Sequence, residues 1–153
     1  MFALLLCLFA ADPEPTPAIK VLASGIWRQA AFHDKKALVI RRGEDLANLP
    51  PYNDRSAAPR AVGAEATRHL AADMKVKAID WDRQMVVIIM DGRRGSGGYR
   101  VEVTGLKVTK GTLKVSWKVN ASKEEGRDVP TFPNLAVLLP KHTGKIEFDP
   151  PLK

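Results

Sequence analysis

Met85-Val86-Val87-Ile88-Ile89-Met90 is an unbroken apolar run bounded by Gln84 and Asp91. Successive side chains of a strand point to opposite faces, so a run of this length with no polar alternate has no face to give to water. It is also too short for a buried helix. The reading is a central strand covered on both sides. Leu135-Ala136-Val137-Leu138-Leu139, closed by Pro140 and preceded by Pro130 and Pro133, reads as a second buried strand.

Between these two the pattern changes to strict alternation. Tyr99, Val101 and Val103 alternate with Arg100, Glu102 and Thr104, and Leu113, Val115, Trp117 and Val119 alternate with Lys114, Ser116 and Lys118. Those are strands with one wet face, and Lys110-Gly111 supplies a tight turn between them. Ile146 to Phe148 closes an edge, and Asn120 to Asp128 is a charged loop. Upstream, Ile19 to Leu22 and Ala37 to Ile40 lie either side of Gly25-Ile26-Trp27 and read as an early hairpin or a pair of edge strands. Gly43 to Leu49 is a helical turn or two stopped by Pro50-Pro51, followed by a polar loop from Tyr52 to Arg60. Val62, Ala66, Leu70 and Met74 recur at i+4 with Glu65, Arg68 and Asp73 on other faces, which predicts an amphipathic helix. The expected fold is α+β, a mostly antiparallel sheet with this helix packed on one face and Met85 to Met90 central.

Met1 to Ala10 is apolar, uncharged and far shorter than a membrane span, and it gives way to Asp12-Pro13-Glu14-Pro15-Thr16-Pro17. The expected organisation is an export signal over residues 1–10, a Pro-rich linker over 11–18 and one domain over 19–153. Cleavage near Ala11 would remove Cys7, the sole cysteine; a diacylglycerol mass on Cys7 would mark a lipoprotein instead.

The 153 residues carry 24 Lys and Arg against 17 Asp and Glu, a net charge of +7. That length buries enough apolar surface to dispense with staples. One Cys and three His rule out structural zinc of the Cys₄ or Cys₂His₂ type and four-cysteine iron–sulfur clusters. The basic residues are spread along the chain, so nucleic-acid binding would rest on net charge alone and is not expected. No metal, cofactor or integral membrane span is expected.

Asp91-Gly92-Arg93-Arg94-Gly95-Ser96-Gly97-Gly98-Tyr99 is glycine-rich, but strand runs into strand here and no Lys-Ser/Thr follows. A phosphate loop is therefore not the reading. The segment reads as a hairpin loop whose tip suits protein contact. Asp80-Trp81-Asp82 sets two carboxylates on one face if extended, the pairing that acid–base chemistry uses. The plainer reading has the carboxylates satisfying backbone donors and Trp81 packing inward. His33, His69 and His142 fall on different elements and read as solvated, and no nucleophile motif accompanies them.

The stretches Ile79 to Val87, Gly92 to Val103 and Thr131 to Val137 with Pro140-Lys141 together resemble the PrcB C-terminal domain family of protease-complex subunits. That family's pattern is an Ile-Asp-Phe opening, an apolar strand, a Gly-x-x-x-Thr-Gly-Gly-Tyr hairpin and a late Pro-Tyr segment ending in Pro-Lys. Here Trp81, Ser96 and Asn134 stand where Phe, Thr and Tyr are usual, and the family's Ser-Gly-Ile start is matched loosely at Ser24-Gly25-Ile26. The resemblance implies an exported accessory protein without catalytic residues. Its partner would be a protein such as a protease. The leading expectation from the loops themselves is contact through the segment from Asp91 to Tyr99 and the segment from Asn120 to Pro133, with Arg93, Arg94, Ser96, Gly97, Gly98, Tyr99 and Phe132 as the contacting residues. The hairpin is also similar to the Asn-Pro-Thr-Thr-Gly-Tyr loop of chagasin-like cysteine-protease inhibitors, a rigid loop pushed into a cleft. The competing expectation is a small cell-envelope hydrolase or carbohydrate-binding protein using Asp80, Asp82 and the Arg93-Arg94 loop.

Overall fold

The computed structural model describes residues 20–24, 33–49, 63–95, 98–121 and 130–152. The expected export signal, the linker, the loop from Tyr52 to Arg60, most of the loop from Asn120 to Asp128, and Val62, Ser96 and Gly97 lie outside the described residues.

In chain order the elements are β1 (Lys20–Ser24), β2 (Lys35–Ile40), a 3₁₀ helix (Gly43–Asn48), α1 (Ala64–Asp73), β3 (Gln84–Asp91), β4 (Tyr99–Thr109), β5 (Thr112–Ala121), β6 (Asn134–Pro140) and β7 (Lys145–Asp149). They make two sheets. The first is antiparallel in the order β1-β6-β3-β2, and the second runs β4-β5-β7 with β7 parallel to β5. The fold is α+β as expected, with β3 inside its sheet. The early strands are a pair of edges, not a hairpin, because β1 pairs with β6 and β2 with β3.

The two-sided burial of β3 has a direct cause. Val86, Ile88 and Met90 pack with Leu70, Ala66 and Met74 of the helical layer, while Met85, Val87 and Ile89 pack with Val101, Val115 and Trp117 of the second sheet. β6 divides in the same way, Ala136 and Leu138 toward the helix and Leu135, Val137 and Leu139 toward the second sheet. The first sheet is thus the middle of three layers, and its two innermost strands are the two that lack polar alternates.

Local chemistry sets the boundaries. Lys110 at φ 48° and Gly111 at φ 74° form the two-residue turn between β4 and β5, with the twist that antiparallel neighbours require. A bulge between Val103 and Gly105 shifts the inward set from Val101 and Val103 to Leu106, which keeps both halves of the long strand β4 facing the core. The helix ends where Lys75 takes φ 54°: its N–H donates to Ala72 O and the Val76 N–H to Ala71 O, both at 2.9 Å. Lys141, just past β6, donates from Nζ to Arg41 O at 3.0 Å and to Trp81 O, tying the chain after β2 and before β3 to the end of β6. No helix among the described residues is long and apolar enough to cross a membrane.

Candidate functional site

At the end of β3 opposite Lys141 the chain passes from the first sheet to the second. The sequence suggests a hairpin here, but β3 and β4 belong to different sheets, so residues 92–98 form a crossover. The reason is register: β3 already has β2 and β6 as neighbours on its two edges, and no edge is left for β4. Gly92 makes the first bend. It sits at φ 82°, and a Cβ there would lie 2.9 Å from His33 O and 3.3 Å from Lys35 N, so a side chain would be both strained and obstructed.

Several segments converge on this end. The Arg93 N–H donates to His33 O at 3.3 Å, and Arg94 exchanges two backbone hydrogen bonds with Thr131, at 2.9 and 3.1 Å. The Asp91 N–H donates to Pro133 O at 3.0 Å, and Asn134 Nδ2 donates to Phe132 O at 2.9 Å. Phe132, half-buried, meets the exposed His33 ring edge-on with centroids 5.1 Å apart. Arg94 Nε donates to Asp91 Oδ2 at 2.6 Å, and its guanidinium lies 5.2 Å from the Tyr99 ring. The hydrogen bond to Asp91 raises the Arg94 guanidinium above its ordinary value, and the charge of Asp91 adds to this against the opposing cost of burial.

The structure therefore brings together Arg93, Arg94, Gly98, Tyr99 and Phe132 of the residues read from the sequence, while Ser96 and Gly97 lie outside the described residues. The two arginines differ. Arg93 is exposed and its side chain has no acidic partner among the described residues; Arg94 is bound inward to Asp91 and Tyr99. Arg94 is accordingly part of the loop's framework, and Arg93 is its outward cation. Sequence reading has His33 only as a solvated residue, and names neither Asp91 as the partner of Arg94 nor Thr131 as the neighbour of the arginine loop. The Asp91-x-x-Arg94 spacing is the one local signal for any of them; the other contacts join residues far apart in sequence.

Asp80 and Asp82 sit at the far end of β3, separated from Arg93 and Arg94 by an eight-residue strand, or about 26 Å. Asp80 Oδ1 accepts from the Asp82 N–H at 3.0 Å, and the Arg83 and Gln84 N–H groups donate to Asp80 O. This is the backbone-satisfying turn anticipated for it. Trp81 packs partly buried against the helical core and donates from Nε1 to Thr67 Oγ1 at 3.0 Å. Among the histidines, His33 is at the arginine end, His69 is on the exposed face of α1, and His142 contacts Gly111 O at 3.1 Å. The two aspartates, the two arginines and a histidine are therefore not assembled into one site. Among the described residues no group of three or more His, Cys, Asp or Glu is placed to hold a metal ion.

No curated protein and no solved structure matches the chain. A family model does: the one described as PrcB C-terminal matches residues 85–140. The matched segment starts in β3, takes in the crossover, β4 and β5, and ends with β6, so it contains both the central strands and the loop that the arginines occupy. The resemblance read from the sequence is thereby shown for the stretch that frames the site: residues 85–140 carry the PrcB C-terminal pattern.

Proposed function

We propose that this protein is a non-enzymatic, exported accessory subunit that binds and stabilises a partner protein such as a protease through the end of the molecule formed by residues 91–99 and Phe132. The observation that carries the reading is the coincidence of the family match over 85–140 with the convergence of Arg93, Arg94, Tyr99 and Phe132 at one end of the matched strands. Export rests on the apolar run over residues 1–10 and the Pro-rich segment after it.

The base of the loop is held in place. Gly92, the Arg94–Thr131 backbone pair and the Asp91–Arg94 ion pair fix residues 91–94, so these residues carry little ordering cost when a partner docks. Arg93 then contributes a charge-assisted hydrogen bond of about 1.5–3 kcal/mol if the partner excludes water, and under about 1 kcal/mol if it stays exposed. The test is co-purification of the tagged protein from its native host with mass spectrometry, alongside Arg93→Ala and Phe132→Ala. A protease enriched with the wild type and depleted with both variants, at unchanged melting temperature, is the expected result. Absence of any enriched protease, or equal recovery with the variants, overturns the reading. Intact mass of the native protein tests export: a chain starting near Ala11 or Asp12 supports it, and retention of Met1 to Ala10 refutes it.

A further inference from the structure

We infer that the groove beside the outer edge of β2 receives an extended, acidic segment of the protein partner; the inference rests on the partner-binding reading above and names what that partner presents. β2 hydrogen-bonds β3 along one side from Lys35 to Ile40, and no described strand lies on its other side. Against its first residues lies an open groove of about 640 Å³ lined by Asp34, Lys35, Lys36, Pro151 and Leu152. A strand edge offers a row of backbone donors and acceptors, and a groove along such an edge admits an extended chain.

The lining selects the occupant. Pro151 and Leu152 form an apolar wall, and among the described residues the charged lining is two lysines against one aspartate. Alternation along β2 sends Lys35 and Lys36 to opposite faces: Lys35 lies over the Trp117 ring, 5.0 Å from its centroid, on the side of the second sheet. A strand laid along this edge therefore meets a cation on either face. The Arg93 N–H is bonded to His33 O, next to Asp34 in the lining, which sets a further exposed basic residue beside this end of the groove. Neither Lys36 nor Arg93 has an acidic partner among the described residues. Acidic side chains alternating with apolar ones complement these cations and this wall.

Edge lysines also serve in many proteins to repel added strands. A guard rejects every incoming strand, whereas a receptor admits one of the right charge. The probe is a short fluorescein-labelled peptide in which Glu and Leu alternate, with a Lys and Leu peptide as its counterpart, followed by fluorescence anisotropy on the full chain. The Glu–Leu peptide should bind, with affinity falling as salt is raised. Lys36→Glu and Arg93→Glu should each weaken it about tenfold or more, and the neutral Lys36→Gln by less. Lys107→Glu, on the exposed face of β4, should leave it unchanged, and all variants should keep the wild-type melting temperature. No binding of the Glu–Leu peptide, equal binding of the Lys–Leu peptide, or an affinity indifferent to Lys36→Glu and Arg93→Glu would falsify the inference. If the wild type still co-purifies with a protease in any of those cases, the partner reading stands and only the acidic segment falls. If the peptide binds as expected and no protease co-purifies, the groove stands and the protease falls.

Discussion

Arg94 and Asp91 form an ion pair across a steep gradient of exposure: the carboxylate side chain is 1% exposed and the guanidinium 41%, with Nε and Oδ2 2.6 Å apart. The carboxylate is the dependent member. Asp91 Oδ1 is buried with no hydrogen-bond partner among the described residues, so Arg94 is the group that offsets its desolvation. Arg94→Ala should destabilise the protein by about 1–3 kcal/mol, a range kept below that of a fully buried pair because water reaches the guanidinium. Adding Asp91→Asn should recover part of the loss, since the two changes share one interaction. Urea denaturation of the two single variants and the double variant measures this, and strict additivity would contradict it.

Gly144 lies where the chain from β6 to β7 passes the β4–β5 turn. A Cβ at this position would run into the carbonyl oxygen of Gly111 and stand 2.8 Å from His142 Nε2. Gly144→Ala should therefore lower stability by about 1–3 kcal/mol through overpacking. At Gly105 the nearest atom to an added Cβ is Ser116 Cβ at 3.8 Å, so Gly105→Ala should change stability by less than about 1 kcal/mol. Thermal denaturation of the two variants gives the comparison.

Lys75 closes α1 in the left-handed region at φ 54°, a conformation that costs a residue with a Cβ about 1 kcal/mol. It is exposed. Lys75→Gly should raise stability by up to about 1 kcal/mol, visible as a higher denaturation midpoint with an unchanged slope.

The last strand carries a pH response of predictable sign. The hydrogen bond from Lys145, followed by its charge, holds the Glu147 carboxyl below the usual carboxylate range; the hydrogen bond to Asp149, followed by its charge, raises Lys114 above the usual lysine range. A lowered carboxyl contributes above its unfolded value and loses that contribution as pH falls through the folded one. A raised lysine contributes below its unfolded value and loses it as pH rises through the folded one. The protection of the β7 amides, their exchange rate corrected for its intrinsic dependence on pH, should be greatest between the two ranges and fall below the carboxylate range and above the lysine range. All four side chains are about half exposed or more, so high salt should flatten the profile.

The middle layer was legible because its signal is local: no polar residue interrupts Met85 to Met90 or Leu135 to Leu139, and only a strand covered on both faces tolerates that. The alternation of β4 and β5 told equally well that one face is buried. It could not tell that the burying partner is the reverse face of β3, because a period of two specifies a face and not a neighbour. The parallel pairing of Leu113 with Ile146 and Val115 with Phe148 was hidden for the same reason. At the site, Arg93 and Arg94 are adjacent letters with the same charge. What separates them is Asp91 underneath and Thr131 alongside, the second supplied by a segment some forty residues away.

The place of β6 between β1 and β3 governs the order in which this molecule can come to exist. Lys20 lies opposite Leu138, and Val86 opposite the same residue on the other side, so neither early strand acquires its innermost neighbour until residues 134–140 have been synthesised. Before that, β3 has only β2 beside it, and Met85, Val87 and Ile89 can meet only the β4–β5 ribbon. Contacts of such long sequence separation are slow to close, and the waiting chain exposes its most apolar strand. The nascent protein therefore depends on its surroundings for longer than its size alone would require, and a truncation before residue 134 leaves a strand edge rich in valine and isoleucine open to self-association.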